Sequence, residues 1–262
     1  MLDYDYIDDW APQLERALTD LVPSTARQTI AATRYEFVED ALEDLLRRVD
    51  RGRVVERTLS WITESQVMAY HGTRLTEEEA HSIEANGLQP LVAHHRRGRL
   101  QRALSPHRAW PAVEGKLDEV LRAHSGTGKS GRREGQVHLT LSRSGLVEGF
   151  NHYLAQGSEF DQQVAFDLLG HEGRALLAAD GAPRIVKVAV PGRYAVEGTQ
   201  RYFTVEQTIA RGDLPNLVAP FLVAWAFKLS DPAYQSSSRK LDCGIWFWEA
   251  VPAAWITSID PP

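Results

Sequence analysis

Ala69-Tyr70-His71-Gly72-Thr73-Arg74 closes the short apolar run Val67-Met68-Ala69 and leads directly into a strongly signalled helix. Thr76-Glu77-Glu78-Glu79 has capping-box spacing: the Thr76 hydroxyl can accept from the Glu79 backbone N–H while the Glu79 carboxylate reaches back to the Thr76 N–H. Three successive acids also suit the positive end of a helix dipole. Ala80, Ile83 and Leu88 supply the apolar side, and Asn86-Gly87 marks the stop, where a left-handed residue costs least. The reading is strand, polar turn, short helix, stop. It places His71, Gly72 and Thr73 at a strand end, where glycine permits close approach to a ligand.

Working outward, residues 1–60 read as helical. Leu14, Leu18, Leu21 and Val22 follow helical spacing, Pro23-Ser24 punctuates, and Val38, Ala41, Leu42, Leu45, Leu46 and Val49 form an amphipathic stripe. The stripe needs a partner: either the domain that follows, or a docking protein or inhibitor. Arg51-Gly52-Arg53 reads as a hinge or helix end. On the other side of the central stretch, His94-His95-Arg96-Arg97-Gly98-Arg99-Leu100-Gln101-Arg102 is the densest basic run. Arg96, Arg97, Arg99 and Arg102 read either as a solvated face or as contacts to the phosphates of a cofactor or nucleic-acid acceptor. Ala123 to Ser130 fits a relaxed phosphate-loop pattern, but it follows a helix and leads into a strand, the reverse of the context that mechanism needs.

Gln136 to Ser142 alternates apolar Val137, Leu139 and Leu141 with polar His138, Thr140 and Ser142, a strand with a polar row to satisfy or use. Leu146, Phe150, Tyr153 and Leu154 recur at helical spacing. Arg184 to Val190 reads as a strand, and Leu241 to Ile256 as a buried strand, a break at Pro252 and a second short strand. Asp242 and Glu249 flank its aromatic run with opposite parity, so a regular strand would turn them to opposite faces.

The 262 residues are 43% hydrophobic and 24% charged, ordinary for a globular chain with a sizeable core. A net charge of −6 argues against a general nucleic-acid coat. The single cysteine, Cys243, leaves no intramolecular disulfide and no cysteine-based zinc site. The acidic start lacks the features of a signal peptide, and no apolar run approaches the ~18 residues of a membrane span. The expectation is a soluble, cytoplasmic protein.

Tyr70-His71-Gly72-Thr73, then Ile83 with Gly87-Leu88, then Val137-His138-Leu139-Thr140, then Gly244-Ile245-Trp246-Phe247 with Val251-Pro252 and Ile256 together resemble the ADP-ribosyltransferase superfamily. The first two pieces are similar to poly(ADP-ribose) polymerases, the last two to the RNA 2′-phosphotransferase branch, over roughly residues 66–259. The resemblance implies an α+β fold: a split β-sheet ADP-ribosyltransferase-like domain over 61–262, with 1–60 as a helical N-terminal extension. It implies NAD as co-substrate and no metal. His71 would hydrogen-bond the nicotinamide ribose, Gly72 would offer backbone groups to the carboxamide with Thr73 beside it, and His138 would fill the second-motif position. Phe150 or Tyr153 would stack on the nicotinamide ring; Tyr70, Arg74 and Thr140 would complete the NAD-binding set. A carboxylate would stabilise the oxocarbenium-like centre formed as the glycosidic bond breaks. Family spacing points to Asp242 for that acid, and reach to Glu249. The implied activity is transfer of ADP-ribose to a protein or nucleic-acid acceptor, in a toxin or defence setting by analogy with bacterial relatives. NAD hydrolysis and RNA 2′-phosphotransfer are alternatives within the fold, although the N-terminal Leu-Arg-His motif of the RNA branch is absent. A non-catalytic module binding NAD or ADP-ribose is the alternative of another class.

Overall fold

Gln66–Leu75 forms one uninterrupted strand, β1, in the computed structural model of the chain, which describes residues 1–126 and 134–262. The extended backbone runs through Ala69–Arg74, so His71, Gly72 and Thr73 lie inside a strand rather than in a polar turn at its end. At Gly72 a Cβ would sit 2.7 Å from Leu146 Cδ1, and its absence lets that buried leucine close over the strand. The other strands are β2 (Val137–Thr140), β3 (Ala182–Pro191), β4 (Gly244–Phe247) and β5 (Ile256–Asp260). They hydrogen-bond in the order β4-β2-β1-β3-β5. β3 and β5 are antiparallel, with Lys187 opposite Ser258 and a register shift between Lys187 and Val188. The α+β class is as the sequence predicts, while the described strands share one sheet where the resemblance implies a split one. Of the strand, break and strand expected over 241–256, the first is β4 and the break falls at Pro252, but Ala253–Trp255 form a 3-10 turn and the second strand, β5, begins only at Ile256; β4 and β5 occupy opposite edges of that sheet.

The chain divides into two compact units. The first comprises Met1–Ala69, Thr140–Gly145 and Ala189–Ile245, the second Tyr70–Leu139, Leu146–Val188 and Trp246–Pro262. Residues 1–60 are helical as predicted, with α1 (Ile7–Ala17), α2 (Ser24–Ala32), α3 (Val38–Leu46) and α4 (Arg51–Thr63). They share a compact unit with residues 140–145 and 189–245. Arg51-Gly52-Arg53 opens α4 instead of hinging: Asp50 caps it, its carboxylate accepting from the Arg53 N–H at 3.1 Å.

The second unit contains α5 (Glu77–Asn86), α6 (Arg97–Leu104), α7 (Trp110–Val113), α8 (Leu117–His124), α9 (His152–Gln156) and α10 (Glu159–Ala179), the last interrupted at Gly170 with φ 62°. Leu100, Leu104, Trp110, Leu121, Phe160 and Val164 make its helical core. The second half of the relaxed phosphate-loop pattern, 127–130, falls outside the described residues.

Back in the first unit follow α11 (Gly192–Thr199), α12 (Val205–Ala210) and α13 (Val218–Ser230). α13 is the most apolar helix, and the α3 stripe, Ala41, Leu42 and Leu45, is buried against it. The partner of that stripe is therefore the chain itself, not a docked inhibitor. Trp10 meets Phe221 of α13 edge-on at 4.9 Å, and Trp61 meets the same ring at 5.7 Å.

Candidate functional site

The end of β1 is fixed by the helix that follows it. Both halves of the capping box form: the Glu79 N–H donates to Thr76 Oγ1 at 3.3 Å and the Thr76 N–H to Glu79 Oε2 at 2.9 Å. α5 ends at Gly87, whose φ of 76° and lack of a side chain are both needed, since a Cβ would lie 2.0 Å from the Val251 carbonyl oxygen. Leu88 then bridges to Val251, tying two of the motif pieces together within the second unit.

His71 projects from β1 toward β2, where its Nδ1 lies 2.8 Å from the His138 carbonyl oxygen. A carbonyl can only accept, so Nδ1 carries the proton. Burial pushes the His71 pKa down, the His138 carbonyl pulls it back in part, and the Arg96 guanidinium lowers it further. The ring is consequently neutral at pH 7, protonated on Nδ1 and with the Nε2 lone pair available as an acceptor. The His138 ring stacks on Trp246 of β4 at 5.3 Å with 13° between planes.

Arg96 is itself held in place. Its Nε donates to Asp161 Oδ1 at 3.0 Å and its Nη2 to the other carboxylate oxygen, a bidentate fork on an acid that is 2% exposed. Burial alone would lower the guanidinium pKa; Asp161 more than reverses this, so the charge is secure. Neither Asp161 nor the Arg96–His71 relation is visible in the linear motifs. One signal was present: Asp161 shares its helix face with Val164, Ala165 and Leu168, an acid on an apolar stripe that has to find a cation.

The remainder of the basic run is spent in the same way. Arg99, 9% exposed, donates to Glu79 at 2.9 Å and to the Arg74 carbonyl at 3.0 Å. Arg102 meets Glu79 and Asp180, and Arg97 meets Asp118. The expected open contact to an acceptor through Arg96, Arg97, Arg99 and Arg102 is thus replaced by intrachain ion pairs, because carboxylates from α5, α8, α10 and the residue after α10 converge on α6.

The other predicted site residues are placed unevenly. Tyr70 is buried in the core and Thr73 is half-buried. Arg74 spends Nη1 and Nη2 on the Leu154 and Gly181 carbonyls, at 3.3 and 2.7 Å. Phe150 and Tyr153 are half-buried around the start of α9, with the Tyr153 hydroxyl 3.4 Å from Glu159. Thr140 and Asp242 belong to the first unit. Thr140 Oγ1 is buried without a hydrogen bond among the described residues. Asp242 is exposed ahead of β4, next to Cys243, whose thiol is pushed up to about 12 by burial and then by the Asp242 charge. Glu249 is exposed in the bend after β4. Neither acid is on the strand, so their opposite parity has no bearing on which face they reach.

No family model matches the chain, and no curated protein or solved structure matches it either. Among the described residues no helix is long and apolar enough to cross a membrane.

Proposed function

We propose that the chain is an ADP-ribosyltransferase that uses NAD as co-substrate, releasing nicotinamide and passing ADP-ribose to a protein or nucleic-acid acceptor. The observation that carries this reading is the adjacency of β4, β2 and β1. Gly244-Ile245-Trp246-Phe247, Val137-His138-Leu139-Thr140 and Tyr70-His71-Gly72-Thr73 are far apart in sequence yet sit on neighbouring strands, which supports reading them as parts of one site. Two side-chain contacts, His71 to the His138 carbonyl and His138 to Trp246, support it.

The chemistry of His71 fits a ribose. A neutral ring with a free Nε2 lone pair accepts from a sugar hydroxyl, and the bond to His138 fixes the direction in which it does so. Arg96 lies close enough for its charge to lower the His71 pKa, but its fork is committed to Asp161, so it acts on the site by holding His71 neutral and not as a phosphate contact. Bound NAD supplies the activated glycosidic bond; the protein supplies orientation and charge. Gly72 contributes backbone to the site only alongside Leu146, which already occupies the space its missing side chain leaves.

The exposure of both Asp242 and Glu249 favours one second reading, a module that binds NAD or ADP-ribose without turning it over. The deciding experiment measures nicotinamide release from NAD by the purified chain, alone and with cell lysate, in wild type and His71→Ala. Release that requires both His71 and lysate is the expected result. Equal release from His71→Ala would remove the site from this function. No release, with NAD or ADP-ribose binding retained and weakened by His71→Ala, would establish the binding module.

A further inference from the structure

An aromatic and arginine strip in the first unit lies outside everything described above. Among the described residues, three of the eight exposed large hydrophobic side chains fall between 194 and 203: Tyr194 at 36%, Tyr202 at 79% and Phe203 at 46% exposed. Scattered exposed rings are unremarkable, but three within ten residues are a concentration, and Tyr202 and Phe203 are adjacent. Each carries a guanidinium over its face. Arg193 lies 4.5 Å from the Tyr194 ring centroid, Arg201 5.5 Å from that of Tyr202, and Arg211 4.6 Å from that of Phe203. Such pairs occur about once per 70–80 residues in proteins generally, so three within one α11–α12 segment are a concentration. Tyr202 and Phe203 border an open cleft of about 550 Å³ walled by α4, α11 and the start of α12.

The first two pairs join sequence neighbours, Arg193 and Tyr194 at the start of α11 and Arg201 and Tyr202 in the bend that follows it. The third does not, because Phe203 and Arg211 stand on opposite sides of α12 in the chain. Packing does not account for Tyr202, which is 79% exposed. Planar rings beside planar guanidinium groups are what unstacked nucleobases bind: the ring offers a π-face to any base and the guanidinium either stacks or reaches a phosphate.

We infer that this strip binds single-stranded nucleic acid, with bases stacked on Tyr202 and Phe203 and phosphates met by Arg193, Arg201 and Arg211. Charge then sets the character of the complex. The three arginines are balanced by Glu197, Glu206 and Asp213; Asp213 lies 3.5 Å from Arg211, and Glu206 turns to its own helix start, where the backbone N–H and the Thr204 hydroxyl hold its carboxyl below the usual range. Affinity therefore comes chiefly from stacking, and its salt dependence is shallower than that of a protein coated with lysine and arginine. A duplex, whose bases are already stacked on one another, has little to offer these rings.

The inference does not rest on NAD chemistry, and its test reads binding alone. Fluorescence anisotropy of a labelled single-stranded oligonucleotide, with the full chain in low salt, should show saturable binding that a duplex of the same sequence does not match. Tyr202→Ala should weaken it by about five-fold or more, Tyr202→Trp should keep it, and Arg201→Gln should weaken it and flatten the salt slope further. Both side chains are exposed, and an unchanged thermal transition verifies folding. Absence of saturable binding, equal affinity for duplex, or equal affinity in Tyr202→Ala and Phe203→Ala would overturn the inference.

Discussion

His71 combines a fixed proton with a lowered affinity for a second one, and the sign of its pH dependence follows. The unfolded histidine takes up its proton near 6.5, the folded one only at lower pH. Between those two values the unfolded chain holds more protons, so this contribution to stability is complete above 6.5 and is lost as pH falls through the folded value. Unfolding midpoints in urea should therefore decline on the acid side of 6.5, and His71→Asn, which keeps a donor for the His138 carbonyl but cannot titrate, should flatten that decline. An unchanged slope would mean that His71 is not the group responsible. Under the proposed function, nicotinamide release should fall as pH drops through the folded value of His71, since protonating Nε2 removes the acceptor. His71 and His138 were legible because a histidine beside Gly-Thr and another on an alternating strand are local patterns. Asp161 and its pairing with Arg96 escaped because the pair spans 65 residues, and only the position of Asp161 on an apolar helix face announced it. At Gly72 the missing side chain makes room for Leu146, a neighbour 74 residues on that no local pattern names.

At the scale of the element, α5 is more than a correctly read capping box. Glu79 serves three partners: the Thr76 N–H, Arg99 on the same carboxylate oxygen, and Arg102 on the other. Thr76→Ala removes one cap hydrogen bond and should cost about 1 kcal/mol. Glu79→Ala also strips a carboxylate from Arg99, which is 9% exposed and keeps only Asp161 at 3.6 Å as an acidic neighbour. Glu79 is a quarter exposed, which moderates the loss, but about 2 kcal/mol or more should follow. Chemical denaturation of both variants checks the order; a Thr76→Ala loss equal to or greater than that of Glu79→Ala would show that the ion network carries no weight. The helix was readable because capping chemistry is written within four residues. The role of the basic run was not, because its partners Glu79, Asp118, Asp161 and Asp180 lie on other elements, and a run of like charge says nothing about which acids fold back onto it.

At the scale of the whole molecule, the helices of residues 1–60 were readable one by one, and their allegiance was not. Periodicity shows that α3 has an apolar stripe; it cannot say that the cover is α13, more than 170 residues later in the chain by direct count from Val38 to Val218. The consequence is physical. Deleting residues 1–60 would bare Phe221, Leu222 and Trp225, all at most 1% exposed, along with the cluster that Tyr4 and Trp10 build against Phe221. At about 1.5–3 kcal/mol for each large side chain returned to water, three or four of them match the ~5–15 kcal/mol by which a domain is stable. Leu2 would also leave β1, where its N–H donates to the Gln66 carbonyl at 2.7 Å and its carbonyl accepts from the Met68 N–H at 2.8 Å. A chain of residues 61–262 should therefore lack a cooperative thermal transition and aggregate, whereas a dispensable extension would leave the transition intact. Co-expression of 1–60 as a separate chain distinguishes the two further: if α1–α4 supply the cover for α13, the fragments should associate and restore the transition, and a soluble, cooperatively folding 61–262 alone would refute the division of the molecule into these two units.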